Sequence, residues 1–335
     1  MEEIKVPIYL ITGFLESGKT SFLSFTLQQD YFQVEGKTLL ILCEEGEEEY
    51  DEEALKKSNT VVEVIDSEEE LTPERLAAMD ILHQPERVII EYNGMWLVSK
   101  FEEMEKPAGW GVEQHITCVD ASTFQVYMAN MKSLFMDMVR NADMVIFNRC
   151  QEEDPLPSYR RSIKVVNQRA EIIFEDEEGE LGDLFEDEMP FDIDAPVIDI
   201  LPEDYGIWFV DSMDHPDRYV GKTVHFKARA LKPRGMGSKF FVPGRTAMTC
   251  CADDTTFLGY ICKSAFAPKI AEGQWVEVTA KVAFEKRMEY QGEGIVLYAE
   301  HVEVCEPLAD EMVYFNYLRS FYVFNCRFGK SGKAV

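Results

Sequence analysis

The chain has 335 residues, 46% of them hydrophobic and 28% charged, so two domains with their own cores are expected and wholesale disorder is excluded. Asp and Glu total 62 against 33 Lys and Arg, a net charge of −29, which repels a phosphate backbone, so no nucleic-acid partner is expected and cations are the natural ones. The most apolar stretch, 6–15, is too short to cross a bilayer, no h-region follows the acidic N-terminus, and the eight cysteines read as reduced thiols, so a cytoplasmic chain without a transmembrane segment is expected.

In chain order, apolar runs rich in Val and Ile fall at 4–12, 38–43, 60–65, 87–91, 114–119, 144–148 and 171–174. They do not alternate strictly, as expected of strands buried on both faces of a parallel sheet. Helical patterns at 20–29, 73–82, 122–130 and 133–141 lie between them. Residues 1–180 are therefore expected to form an α/β domain, a mostly parallel sheet with helices on both faces. Eight of the ten residues 44–53 are acidic, as are nine of the fourteen residues 175–188. The first run reads as a solvated loop and the second as the start of an acidic linker over 181–205. Beyond it, β-type runs at 224–231, 239–251, 257–262, 275–284 and 295–304, with short Gly and Pro turns, predict a small all-β, OB-like barrel over 206–306. An aromatic tail with a basic end (Arg327, Lys330, Lys333) fills 307–335.

One motif carries chemistry. Gly13-Phe14-Leu15-Glu16-Ser17-Gly18-Lys19-Thr20 fits G-x-x-x-x-G-K-[ST], with an apolar run before it and a helical pattern after it. In that context Gly13, Ser17, Gly18, Lys19 and Thr20 form a nucleotide-binding loop whose backbone N–H groups cradle phosphate at a helix N-terminus. Lys19 neutralises the β- and γ-phosphates and the Thr20 hydroxyl is a ligand for Mg²⁺.

The string Ile11-Thr12-Gly13-Phe14-Leu15-Glu16-Ser17-Gly18-Lys19-Thr20 resembles the opening of the CobW-type P-loop GTPases, a class of metallochaperones and metal-insertion GTPases. Glu44-Glu45-Gly46-Glu47 looks like that family's Glu-x-Gly-Glu switch segment, and Ile89-Ile90-Glu91-Tyr92-Asn93-Gly94 like its strand ending in Glu-x-x-Gly. Asn148-Arg149 stands where the family has its base-reading Asn-Lys-x-Asp. The resemblance implies a P-loop NTPase fold over about residues 4–175. It also implies Glu91 as a second Mg²⁺ ligand, Gly94 as a hinge beside the γ-phosphate, and Asn148 and Arg149 as base contacts or braces of the loop. Lys19, Thr20, Glu91 and Gly94 are then the catalytic set, with GTP or ATP as the nucleotide.

Four departures stand out. Glu16 occupies a position where relatives commonly have Gly and adds negative charge beside the phosphates. Gln151 replaces the guanine-reading Asp, offering one acceptor where Asp offers two, and Arg149 replaces Lys. The Cys-x-Cys-Cys of the family is missing: the corresponding stretch, Val62 to Glu68, has no cysteine, so no thiolate zinc site is expected in the first domain.

The second domain holds Arg245-Thr246-Ala247-Met248-Thr249-Cys250-Cys251-Ala252-Asp253-Asp254. This string resembles the Thr-Cys-Cys-Ala core of an uncharacterised bacterial β module, the soluble partner of a predicted permease. Cys250 and Cys251, with Asp253, Asp254, Cys262 or His225 nearby, are the candidate Zn²⁺ ligands, against the plainer reading of one buried and one surface thiol.

The sequence thus points to a CobW-like nucleotide hydrolase, with GTP as the expected substrate, acting as a metal-homeostasis or metallochaperone-type switch. A metal-client protein or a permease-associated partner would follow, and self-association stays open. The rivals are a non-hydrolysing nucleotide-gated scaffold and a metal-binding module with a regulatory P-loop domain.

Overall fold

The computed structural model describes residues 4–44, 46, 48–181, 189–248 and 255–313. The chain divides into two compact units, Met1–Leu156 with Val166–Phe185, and Pro157–Val165 with Glu186–Val335.

The first unit opens with β1 (Val6–Thr12), α1 (Lys19–Leu27), β2 (Thr38–Leu42), α2 (Glu52–Lys57), β3 (Thr60–Val64) and α3 (Pro73–His83). It continues with β4 (Arg87–Glu91), α4 (Val98–Glu103), β5 (Trp110–Asp120), α5 (Ala121–Asn130), α6 (Lys132–Val139) and β6 (Met144–Asn148). Helix α7 (Leu156–Lys164) follows, most of it belonging to the second unit, and β7 (Glu171–Phe174) closes the sheet. The seven strands run in the order β3-β2-β4-β1-β5-β6-β7, every pairing parallel. Burial explains the unbroken apolar runs: all five residues of β4 are buried and so are four of five in β2. Parallel strands covered on both faces have no solvent side on which to alternate. The chain leaves β1 toward β2 on one side, while β5 lies on the other, so β1 sits at a switch point of the sheet. The crevice beyond the carboxyl ends of such strands is where open α/β sheets hold ligands.

The second unit contains β8 (Val197–Asp199), α8 (Tyr205–Asp214), β9 (Thr223–Leu231), β10 (Phe240–Met248), β11 (Thr255–Gly259) and β12 (Ile261–Lys263). The strands β13 (Trp275–Arg287), β14 (Gly292–Val304) and β15 (Met312–Val313) complete it. Strands β9, β10, β12, β14 and β13 pair in a ring that closes through a β9–β10 pairing, giving a five-stranded barrel. The β12–β14 pair is parallel and the other four are antiparallel. Alternation is clean here. Along β9 the residues Val224, Phe226, Ala228 and Ala230 are buried, and their neighbours are not, as a barrel filled by side chains requires.

Two expectations are corrected. Residues 189–204, read from their charge as part of a linker, instead carry β8, which pairs β9, and place Phe191, Ile198 and Ile200 in the core of the second unit. Apolar residues spaced among acids are enough to offset the cost of ordering once a barrel edge is available to them. The second is a helix, α8, at the start of the region read as purely β, where Tyr205, Trp208 and Phe209 are buried in the same core. The tail begins with β15 on β10; residues 314–335 lie outside the described residues.

Candidate functional site

The loop after β1 is shaped by its glycines. Gly13 has φ +140°, and a Cβ there would lie 2.3 Å from the Cys118 carbonyl oxygen and 2.4 Å from Ser17 Oγ. Gly18 has φ +89°, and its Cβ would meet Asn148 Nδ2 at 2.6 Å. Only glycine fits either place. Gly18 is also the N-cap of α1, and no side chain caps that terminus. The first N–H groups of α1 therefore remain available to an anion. Ser17 Oγ is buried without a partner, as expected of a hydroxyl in a cradle built for a ligand.

Lys19 is buried at the centre of the loop. Its ammonium donates to the carbonyls of Gly13 and Phe14, both at 3.0 Å, and to Glu44 Oε2 at 2.7 Å. Beside it, Thr20 Oγ1 donates to Glu91 Oε1 at 2.8 Å, and the Tyr50 hydroxyl donates to Glu91 Oε2. Burial at the end of β4 raises the Glu91 carboxyl above the usual range, opposed by the bonds from Tyr50 and Thr20 and by the Lys19 charge. Burial and the Glu91 charge push the Tyr50 hydroxyl up as well, so it stays a donor. An open pocket of about 330 Å³ is lined by Glu16, Gly18, Lys19, Thr20, Glu44, Glu48, Glu91 and Arg149 among others. Adjacent hydroxyl and carboxylate oxygens suit a hard cation such as Mg²⁺, and the glycine cradle, free helix terminus and ammonium suit phosphate.

The remaining candidates converge on the same loop. A Cβ on Gly94 would lie 2.5 Å from the Gly13 carbonyl oxygen and 2.7 Å from Phe14 Cα, so the turn after β4 rests on the loop backbone. Asn148 Nδ2 donates to the Ser17 carbonyl at 2.8 Å, and its Oδ1 is buried without a partner. Arg149, with φ +54°, donates to the Glu16 carbonyl at 2.9 Å and to Asp120 at 2.6 Å. Both side chains hold the loop in place. Gln151 is exposed at the loop after β6, its backbone N–H on Asp154.

Two contact residues, Glu48 and Tyr50, carry no signal of their own in the sequence: one is a member of an acidic run and the other a lone aromatic within it. Glu44 falls in the switch-like string Glu44-Glu45-Gly46-Glu47, and Asp120 is the polar end of an apolar strand. Glu48 Oε2 accepts from Ser21 Oγ at 2.5 Å. Glu44 and Glu48 are therefore not the freely solvated carboxylates expected of the run's charge: the Lys19 ammonium and the Ser21 hydroxyl give their oxygens better partners than water.

Of the candidate zinc ligands, Cys250, Cys251, Asp253 and Asp254 lie outside the described residues. Cys262 is fully buried in the barrel, its thiol pushed up to about 12 by burial, and His225 is half-exposed and bonds Asp199 at 2.7 Å. These two do not form a common site. Among the described residues no group of three or more His, Cys, Asp or Glu is placed to hold a metal ion, and no helix is long and apolar enough to cross a membrane.

A family model described as "CobW/HypB/UreG, nucleotide-binding domain" matches residues 7–174, half of the chain, and one described as "DUF1980 C-terminal domain" matches residues 182–315. No curated protein matches. Among solved structures, the chain is similar to the hydrogenase maturation factor HypB from Archaeoglobus fulgidus, at 18% identity and TM-score 0.37 over 52% of this chain and 83% of that one. It is also similar to the Zn(II)-bound YjiA GTPase from E. coli, at 17% identity and TM-score 0.41 over 77% of this chain and 89% of that one. The single-stranded DNA binding protein Rim1 from S. cerevisiae mitochondria aligns at 12% identity and TM-score 0.18 over 25% of this chain and 94% of that one.

Proposed function

Because the chain belongs, through residues 7–174, to the CobW/HypB/UreG nucleotide-binding family, we propose that it is a nucleoside-triphosphate hydrolase whose substrate is GTP and whose cycle serves metal homeostasis. The observation that carries this reading is the pairing of an uncapped α1 terminus and buried Lys19 with the Thr20–Glu91 contact at 2.8 Å. One end of the site holds phosphate oxygens and the other a hard cation.

In this reading Lys19 stabilises charge on the transferring phosphoryl group, and the α1 N–H groups hold the flanking phosphate oxygens. The γ-phosphoryl passes to water, releasing diphosphate nucleotide and inorganic phosphate. Thr20 and Glu91 would hold Mg²⁺, which neutralises phosphate charge when bound. Gly94, in contact with the loop, would carry the change to the turn after β4. Gln151 offers a single acceptor to the guanine edge, so discrimination against ATP would be modest. For the second unit, the string 245–254 supports a permease-associated or metal-client partner, with Cys250 and Cys251 as the thiols for Zn²⁺.

The test is titration of fluorescent GTP and ATP analogues with Mg²⁺, followed by phosphate release with and without Zn²⁺. Lys19→Ala should lose about 2–4 kcal/mol of binding, the usual range for truncating one partner of a buried charge pair. Unchanged affinity in that variant would remove the phosphate site from this loop. Binding without phosphate release would favour the gated scaffold, a reading supported by the full set of acceptors already on Lys19.

A further inference from the structure

The acidic run after β2 does more than sit near the pocket. An ammonium has three N–H donors. On Lys19 all three are used, by Gly13 O, Phe14 O and Glu44 Oε2. The two carbonyls belong to the loop itself and cannot leave without dismantling it. A phosphate oxygen can therefore reach Lys19 only by displacing Glu44. The Glu44 carboxylate already makes the charge-assisted bond that a phosphate would make, at 2.7 Å and with only 11% of its side chain exposed.

The same run closes the cation end. Tyr50 donates to Glu91 Oε2, the carboxylate oxygen not engaged by Thr20, and its ring packs against the core cluster that contains Ile11, Leu23 and Leu40. Glu48 ties the segment to Ser21 on the first turn of α1. A Cβ on Gly46 would sit 3.5 Å from Glu16 Oε1, so the run also crosses over the loop carboxylate. Three side chains of one short segment thus meet the loop lysine, the helix start and the strand-end carboxylate.

We propose that Glu44, Glu48 and Tyr50 form a built-in competitor for the nucleotide, with Glu44 standing in for a phosphate on Lys19 and Tyr50 shielding Glu91, so that a metal-bound triphosphate enters only by expelling them. This rests on the phosphate-site reading above. Repulsion supplies the release. Phosphate charge arriving among Glu16, Glu44 and Glu48 is unfavourable until a divalent cation offsets it. A free nucleotide is disfavoured and the metal complex is selected. On expulsion Glu44 and Tyr50, half-buried in the unliganded state, become exposed.

The experiment uses the full chain and a fluorescent GTP analogue with and without Mg²⁺. Glu44→Ala and Glu44→Gln should tighten analogue binding about tenfold, equivalent to 1.4 kcal/mol, and should lessen the dependence on Mg²⁺. Tyr50→Phe should give a smaller shift in the same direction, and it carries the test if the Glu44 variants do not fold. Wild-type affinity and an unchanged dependence on Mg²⁺ in all three variants would overturn the proposal. If Lys19→Ala binds the analogue as wild type does, the phosphate-site reading falls and the competitor with it. If Lys19→Ala loses binding while the Glu44 variants match wild type, only the competitor falls.

Discussion

Glu16 is the residue where the local rules and the site disagree most openly. Its φ is +60°, in the left-handed region where a side chain costs about 1–2 kcal/mol. The same position brings a carboxylate to the edge of the phosphate pocket. The departure visible in the sequence, an acid where relatives have glycine, therefore has two separable physical consequences. Glu16→Gly removes the backbone strain, less the roughly 0.5–1 kcal/mol that glycine's extra freedom adds to the unfolded chain. The net gain should be about 1 kcal/mol, which for a unit of this size raises Tm by about 2–4 °C. The same change should strengthen nucleotide binding, most visibly at low salt where the charge term is least screened. A melting curve and an analogue titration at two salt concentrations check both. A drop in Tm would mean that contacts of the Glu16 side chain outweigh the strain.

Elements tell a similar story of what one dimension can carry. The strands of the sheet were legible because burial on both faces leaves an unbroken apolar run: 87–91, 144–148 and 171–174 match β4, β6 and β7 at both ends. The barrel strands were legible as β-type runs separated by short Gly and Pro turns. The glycine loop after β1 was legible because its glycines are dictated by backbone geometry that no other residue satisfies. What could not be read were contacts between elements. Nothing in the spacing of Glu44, Tyr50 and Glu91 says that Glu44 meets the loop lysine while Tyr50 meets Glu91 across the crevice. Helix α7 escaped for a related reason, since its apolar residues Leu156, Tyr159 and Ile163 are few and set among cations. Gly94 gives the element-level test. A methyl group there would stand 2.5 and 2.7 Å from atoms of the loop backbone, and backbone cannot rotate away. Gly94→Ala should lower stability by about 1–3 kcal/mol, as overpacking generally does, and should weaken nucleotide binding by shifting the loop after β1. Wild-type binding in that variant would show that the turn after β4 and the phosphate loop are mechanically independent.

At the scale of the whole molecule, two cores share one chain, and the second takes part of its material from inside the first. Residues 157–165 belong to the second unit although β7, which follows them, belongs to the first. Within that unit Asp214, at the end of α8, accepts from Arg160 Nε at 3.0 Å and lies 3.6 Å from Lys164 Nζ. Val165 joins the barrel core. Burial holds the Lys164 ammonium below its usual range, and the Asp214 charge works against that shift. Asp214→Asn removes the carboxylate charge facing Arg160 and Lys164, which should cost the second unit about 2–3 kcal/mol, toward the lower end for broken buried pairs because Arg160 is partly exposed. The first unit contains none of these groups and holds the nucleotide site instead. A ligand at about 100 times its Kd adds about 2.7 kcal/mol to the state that binds it. Calorimetric melting of the full chain should then show two transitions that answer to different changes. The Mg²⁺–nucleotide analogue should raise one and leave the other in place, and Asp214→Asn should lower the other and leave the first. A single transition that moves with both would mean that the two cores unfold together, with α7 as the segment that couples them.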